Sequence, residues 1–352
     1  VTIVTGFLGS GKTTQLNRAL RDPRMRGAMV IVNEFGEVGL DHGLIESSSD
    51  GIVVLENGCL CCTVFGDLIG TLNNLYHRRE AGEIERFDRV LIETSGLADP
   101  SSIIQAFLSD PTLEGLYQLS TVIVLADCIN LADTLRNYDE AVRQLALADV
   151  VIVTKTDLVP PNELVRRTSD VSVLIKEINA NADLILATDP GLDIAGLMAV
   201  AGHDPALGGS SAARWLNYDD PHDHGHGHAH YAHNADHLKV STLSYIREEP
   251  LQRLALQLLL DGIERNLGSS LLRVKAIVNI AGEEAGPAII QGAQHLLHNV
   301  TWLDKWPFAD RKSRFVVIAA GVDTPTLRDM MALLDRIATR SAVARAAVEP
   351  AI

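Results

Sequence analysis

The sequence predicts an α/β chain: a first unit built on a mostly parallel sheet, then a smaller C-terminal α+β domain. Three observations carry this. The chain opens on a β-branched apolar run that passes into a glycine-rich loop and then a helix. Apolar strand-like runs then alternate with helical stretches, the pattern of right-handed crossovers between parallel strands. A stretch rich in Gly, Ser, Asp and His, Gly202 to Asp236, breaks that alternation, and the pattern beyond it differs. The expected division is residues 1–199, a His-rich linker over 200–236, and a second domain over 237–345. A length of 352 residues suits two domains, and 47% hydrophobic residues suffice for two cores.

The opening segment is V-T-I-V-T-G-F-L-G-S-G-K-T-T. Val1 to Thr5 reads as a buried strand, and Thr13 to Leu20 as helix. Between them lies G-x-x-x-x-G-K-T, the spacing of a phosphate-binding P-loop in its required strand–loop–helix setting. Gly9 and Gly11 let the backbone wrap so that N–H groups of Gly9, Ser10, Gly11, Lys12, Thr13 and Thr14 face phosphate oxygens. The helix N-terminus adds its positive partial charge. Lys12 can reach the β- and γ-phosphates, and the Thr13 hydroxyl can sit on Mg²⁺. The first unit is thus expected to be a P-loop NTPase.

Ala28 to Val32 is a second strand. It leads into N-E-F-G-E-V-G-L-D-H, Asn33 to His42, whose Glu34, Glu37 and Asp41 can order around Mg²⁺ and a γ-phosphate. Asp41 is the expected Mg²⁺ contact. Ile52 to Leu55 is a short strand followed by E-N-G-C-L-C-C-T. Cys59, Cys61 and Cys62 are too close in sequence to form a disulfide framework, and thiolates are soft ligands that select Zn²⁺, Cu⁺ or iron–sulfur centres. Three of the four cysteines sit here, which fits a reducing compartment, so cytoplasm is expected. Cys128 is expected in the core.

Phe87 to Glu93 is a strand ending in an acid that can hold Mg²⁺, and Gly96 beyond it lets a backbone N–H approach the γ-phosphate. Lys12 and Glu93 are the candidate catalytic residues. Ser120 to Ala126 is another buried strand, and Leu131 to Ala148 an amphipathic helix. Val150 to Val153 leads to T-K-T-D. There Asp157 can accept hydrogen bonds from guanine N1 and N2, which adenine cannot supply, and the Lys155 stem can lie against the base. Leu184 to Ala187 closes the sheet. Each of these motifs falls at the carboxyl end of a strand, where open α/β sheets bind ligands.

The tract H-D-H-G-H-G-H-A-H carries His222, His224, His226, His228 and His230. Alternation with small residues suits weak, exchangeable metal binding rather than a core. Beyond it, Leu238–Tyr245, Leu271–Ile280, Ala288–His295, Val300–Leu303 and Phe315–Ala319 read as strands. Leu251–Asn266 and Thr324–Arg340 read as helices. Trp302 and Trp306 are expected in packing. The net charge of −15 argues against a nucleic-acid partner, and no apolar run is long enough to span a bilayer.

G-F-L-G-S-G-K-T-T, N-E-F-G-E-V-G, E-N-G-C-L-C-C, L-I-E-T-S-G and T-K-T-D, in this order, resemble the CobW family of metal-linked GTPases, relatives of the urease and hydrogenase nickel-insertion GTPases. The resemblance spans nearly the whole chain. It implies a GTP-hydrolysing metallochaperone, with GTP and Mg²⁺ at the P-loop and a transition metal held by Cys59, Cys61 and Cys62 for a client metalloprotein. Zn²⁺ is the expected ion, with Co²⁺ as the alternative. The family's base motif begins with Asn where this chain has Thr154. The rivals are a non-catalytic metal buffer, a P-loop kinase of a small metabolite, and, within the family, cobalt handling for cobalamin synthesis or activation of a nitrile-hydratase-type enzyme. A homodimer stays open.

Overall fold

The computed structural model describes residues 1–34, 52–56, 63–199, 216, 239–284, 286–293, 296–297 and 300–348. In the first unit the strands are β1 (Thr2–Thr5), β2 (Ala28–Glu34), β3 (Ile52–Glu56), β4 (Arg89–Glu93), β5 (Thr121–Asp127), β6 (Val150–Thr154) and β7 (Asp183–Leu186). They form one seven-stranded sheet in the order β3-β2-β4-β1-β5-β6-β7. Every pairing is parallel, with Ile3 opposite Ile92 and Val122 across the central pairs. The chain lays β2, β3 and β4 on one side of β1 and then crosses to add β5, β6 and β7 on the other. β1 therefore stands at the point where the strand order reverses, and its carboxyl end opens the phosphate loop.

The strands are apolar on both faces because both faces are covered. Val4, Val30, Leu91, Ile123 and Ile152 pack with Leu16 and Ala19 of α1 (Lys12–Leu20) and with Ile194, Ala195 and Met198 of α8 (Ile194–Ala199). The remaining helices are α2 (Thr63–Glu80), α3 (Ser101–Ser109), α4 (Pro111–Leu116), α5 (Leu131–Asn137), α6 (Asp139–Leu147) and α7 (Leu164–Ile178). The single helix expected over Leu131–Ala148 is thus two. Tyr138 is extended, with φ of −139°, and its ring packs on Phe7 with centroids 4.5 Å apart. Asp139 and Glu140 begin a new first turn, where carboxylates suit the helix dipole. Cys128 is buried at the end of β5, as expected of a core cysteine.

The second sheet is antiparallel. It contains β8 (Val240–Arg247), β9 (Leu271–Val278), β10 (Ala288–Ala293), β11 (Leu296–Leu297), β12 (Thr301–Trp302) and β13 (Ser313–Ala320). Its order is β11-β10-β9-β13-β8, with β12 paired to β10. Leu243, Val274, Ala276, Ile290, Phe315 and Val317 share a core with Leu256, Leu259 and Ile263 of α9 (Arg253–Leu267) and Leu327 and Met331 of α10 (Thr324–Val348). α10 runs past the expected Arg340 because S-A-V-A-R-A-A-V continues with good helix formers. Trp302 is not in packing: it is 42% exposed, with the Arg253 guanidinium 5.1 Å from its ring centroid. The chain divides into two compact units, Val1–Gly202 and His203–Ile352. Among the described residues no helix is long and apolar enough to cross a membrane.

Buried Asp335 of α10 holds β8 through a 2.5 Å ion pair to Arg247 and a 2.9 Å hydrogen bond from the Tyr245 hydroxyl. Burial, then the bond to Asp335, pushes the Tyr245 phenol from 10.0 up to about 12. A phenol whose folded pKa is raised contributes stability that is intact below pH 10.0 and lost as pH climbs to about 12. Chemical denaturation across that window should show falling stability, and Tyr245→Phe should flatten the fall. An unchanged slope in the variant would contradict the assignment.

Candidate functional site

The site is assembled at the carboxyl ends of β1, β4, β5 and β6. Gly6 follows β1 and passes so close to β5 that a Cβ there would lie 2.4 Å from the Leu125 carbonyl oxygen. Gly9 and Gly11 take left-handed φ values of 70° and 92°, which turn the loop back into α1. Gly11 caps α1 with no side-chain hydrogen bond to its first turn, so the helix start presents N–H groups to a ligand. The Lys12 ammonium folds back over this loop and donates to the carbonyls of Gly6 (3.0 Å) and Phe7 (3.3 Å). Ser10 is buried in the loop and Thr14 sits in the first turn of α1.

Two predicted Mg²⁺ contacts meet directly. Thr13 Oγ1 donates to Glu93 Oε1 at 2.7 Å, and Glu93 is buried at the end of β4. A hydroxyl and a carboxylate, one from each side of the β1–β4 pair, are the hard oxygen donors that Mg²⁺ takes, so the residues fit that ion. Next to Glu93, the Thr94 hydroxyl donates to Thr5 Oγ1 at 2.6 Å and ties the two strand ends together. Gly96 lies against the phosphate loop: a Cβ at this position would come 2.6 Å from the Leu8 nitrogen. Only glycine permits that approach.

On the other side of β1, Lys155 has φ of 59°, the single positive φ among the described non-glycine residues. Its ammonium is 2.7 Å from Asp127 Oδ2. Asp127 also accepts from Asn130 Nδ2 (2.9 Å) and from the backbone N–H of Ile129 (2.8 Å). Burial pushes its carboxyl up, but the bonds from Lys155, Asn130 and Ile129 together hold it below the ordinary carboxylate value. Asp157 is exposed in the short 3₁₀ turn Thr156–Leu158, which the Thr156 hydroxyl ties to Thr188 beyond β7 at 2.9 Å. Thr154, at the end of β6, anchors the loop. It is buried, and its hydroxyl reaches the carbonyls of Ser10 (2.7 Å) and Ala126 (3.2 Å), pinning the phosphate loop to β5 and β6.

A cavity of about 240 Å³ lies beside the phosphate loop, lined by Phe7, Leu8, Ser10, Asp127, Gln144 and Lys155 among others. Asp127 and Gln144 are not among the residues the sequence singles out. Asp127 was legible in principle, because it ends a buried strand on the ligand side of the sheet. Gln144 was not, since it comes from the middle of a helix. Asp41, Cys59, Cys61, Cys62, His222, His224, His226, His228 and His230 lie outside the described residues, as does the expected switch segment beyond Glu34. Among the described residues no group of three or more His, Cys, Asp or Glu is placed to hold a metal ion.

The CobW/HypB/UreG nucleotide-binding domain matches residues 1–185, and the cobalamin synthesis protein cobW C-terminal domain matches residues 240–334. The chain is 31% identical over 327 residues to the zinc chaperone YjiA of Escherichia coli, covering 92% of this chain and 94% of that protein. It is 31% identical over 367 residues to the zinc chaperone CobW of Pseudomonas aeruginosa, covering 94% and 90%. The fold matches the crystal structure of Zn(II)-bound YjiA GTPase from E. coli with a TM-score of 0.65 at 23% identity, over 95% of this chain and 98% of that one. With the phosphate loop, the Thr13–Glu93 pair and both domains in place, the chain belongs to the CobW/HypB/UreG family of P-loop metallochaperone GTPases.

Proposed function

We propose that this protein binds and hydrolyses GTP, holds a transition metal ion, zinc, through Cys59, Cys61 and Cys62, and hands it to a client metalloprotein. The proposed division of labour is a GTPase domain over 1–199, a His-rich collector over 200–236 and a C-terminal domain over 237–345. One observation carries the reading. β2 and β3 are neighbours in register, with Glu34 opposite Glu56, and β2 also pairs with β4, which ends in Glu93. β2 ends at Glu34 and β3 at Glu56, three residues before Cys59, so the chain enters both segments from adjacent, parallel strand ends on the same side of the sheet as Glu93.

In this reading the backbone N–H groups from Gly9 to Thr14 and the Lys12 ammonium bind and orient the phosphates. Thr13, Glu93 and Asp41 would hold Mg²⁺, which when bound neutralises phosphate charge. The Gly96 N–H faces the γ-phosphate. Lys155 lies along the base, and Asp157 accepts from guanine N1 and N2. Zinc is the cargo: thiolates suit it, and the relatives from E. coli and P. aeruginosa are both named zinc chaperones. His222, His224, His226, His228 and His230 would gather the ion and raise its local concentration.

Cobalt is the second reading, favoured by the cobalamin description of the matching C-terminal domain. Metal analysis of protein purified without added ions, paired with GTP turnover measured with and without stoichiometric Zn²⁺ or Co²⁺, tests the proposal. Bound zinc and a zinc-dependent rate are expected. Cobalt in its place would favour the second reading, and a rate indifferent to any metal would reduce the protein to a buffer.

A further inference from the structure

α6 touches the nucleotide machinery at two places that no motif marks. At its start, the Tyr138 ring packs on Phe7 of the phosphate loop. In its middle, Gln144 is 1% exposed and points its amide at the loop after β4. Nε2 donates to the Gly96 carbonyl at 3.2 Å and to the Ala98 carbonyl at 3.0 Å. The neighbouring Arg143 adds a 3.6 Å ion pair to Asp99 in the same loop. That loop closes on itself through Ala98 N–H to the Ser95 carbonyl at 3.1 Å, and Gly96 abuts Leu8. One helix thus grips both the loop that cradles phosphates and the loop that carries the γ-phosphate contact.

We propose that Gln144 is a positioning residue for hydrolysis: it fixes the Gly96–Ala98 carbonyls so that the Gly96 N–H is presented to the γ-phosphate. This rests on the GTPase reading above. The Gly96 acceptor is buried and the Ala98 acceptor half-buried. Anchoring the Gly96 carbonyl restrains the backbone of the same residue whose N–H is to face the γ-phosphate, and anchoring Ala98 holds the turn that follows it. A misplacement near 1 Å at a reacting group costs about 10²-fold in rate. GDP makes no γ-phosphate contact and should not sense the change.

The test is single-turnover and steady-state GTP hydrolysis by the full-length chain and its Gln144→Met and Gln144→Glu variants, with GDP affinity measured alongside. Gln144→Met keeps the volume and removes the donors. It should lower kcat by about 10–100-fold with KM and GDP affinity within about 2-fold. Gln144→Glu, once ionised at alkaline pH, sets a carboxylate against two carbonyl oxygens and should be at least as slow there, because burial and the two acceptors favour the neutral acid. It should recover as pH falls and the protonated acid regains a donor, a pH profile that a purely packing role would not produce.

Equal kcat in wild type and Gln144→Met, equal losses in kcat and GDP affinity, or a Gln144→Glu profile that parallels wild type would each overturn the assignment while leaving the GTPase reading intact. Should Gln144→Met fail to fold, the pH profile of Gln144→Glu decides alone. A wild-type chain that does not hydrolyse GTP would overturn both.

Discussion

Replacing Lys12 by Ala is expected to slow GTP hydrolysis by about 10²–10³-fold, the usual consequence of removing one preorganised donor to developing charge. The ammonium already sits over the loop, on the carbonyls of Gly6 and Phe7. Phosphate binding would exchange those acceptors for β- and γ-phosphate oxygens. The fold should tolerate the change, because Lys12 is half-buried at the start of α1 and the loop is held independently. Thr154 pins Ser10, and the glycine φ values set the turn. Comparable thermal stability with a large loss of turnover is therefore the predicted pair of results. Unchanged turnover would remove Lys12 from the catalytic site.

Replacing Cys61 by Ser is expected to weaken zinc binding by more than about 10²-fold, since disturbing even a residue behind a metal ligand commonly costs 10–100-fold. A serine hydroxyl stays protonated at neutral pH and is a hard, poor substitute for a thiolate. GDP affinity should be unaffected, because the residues proposed to hold the nucleotide follow β1, β4 and β6. Titration with a competing zinc chelator, with GDP binding measured on the same sample, reads both quantities. Zinc affinity equal to wild type would move the cargo site away from the cysteine motif.

What could be read from the sequence depended on how local the physics is. The phosphate loop is set by its own glycines and by the strand and helix that flank it, so Gly9, Gly11, Lys12 and Thr13 were legible, as was Glu93 at a strand end. The Thr13–Glu93 contact joins residues 80 apart, yet two independent rules had placed both on the same ion. Asp127 and Gln144 escaped because their roles exist only in the tertiary structure: one anchors Lys155 across 28 residues, the other reaches Gly96 across 48. The break at Tyr138 was not read either: its ring meets Phe7, a contact that only the tertiary structure makes. Thr154 stands in sequence only as a departure from the family's Asn, and in space it anchors the phosphate loop. Trp302 was expected in core or inter-domain packing, but its ring is 42% exposed, with Arg253 over one face.

The central claim is that nucleotide state and metal binding act on each other through the neighbouring ends of β2 and β3. The direct measurement is zinc affinity of the full-length protein with no nucleotide, with GDP and with a non-hydrolysable GTP analogue, each in the presence of Mg²⁺. Affinity with the GTP analogue is predicted to differ from the other two states by about 5–150-fold, the range of a coupling of roughly 1–3 kcal/mol, with the reciprocal change in nucleotide affinity. Identical zinc affinities in all three states would contradict the account.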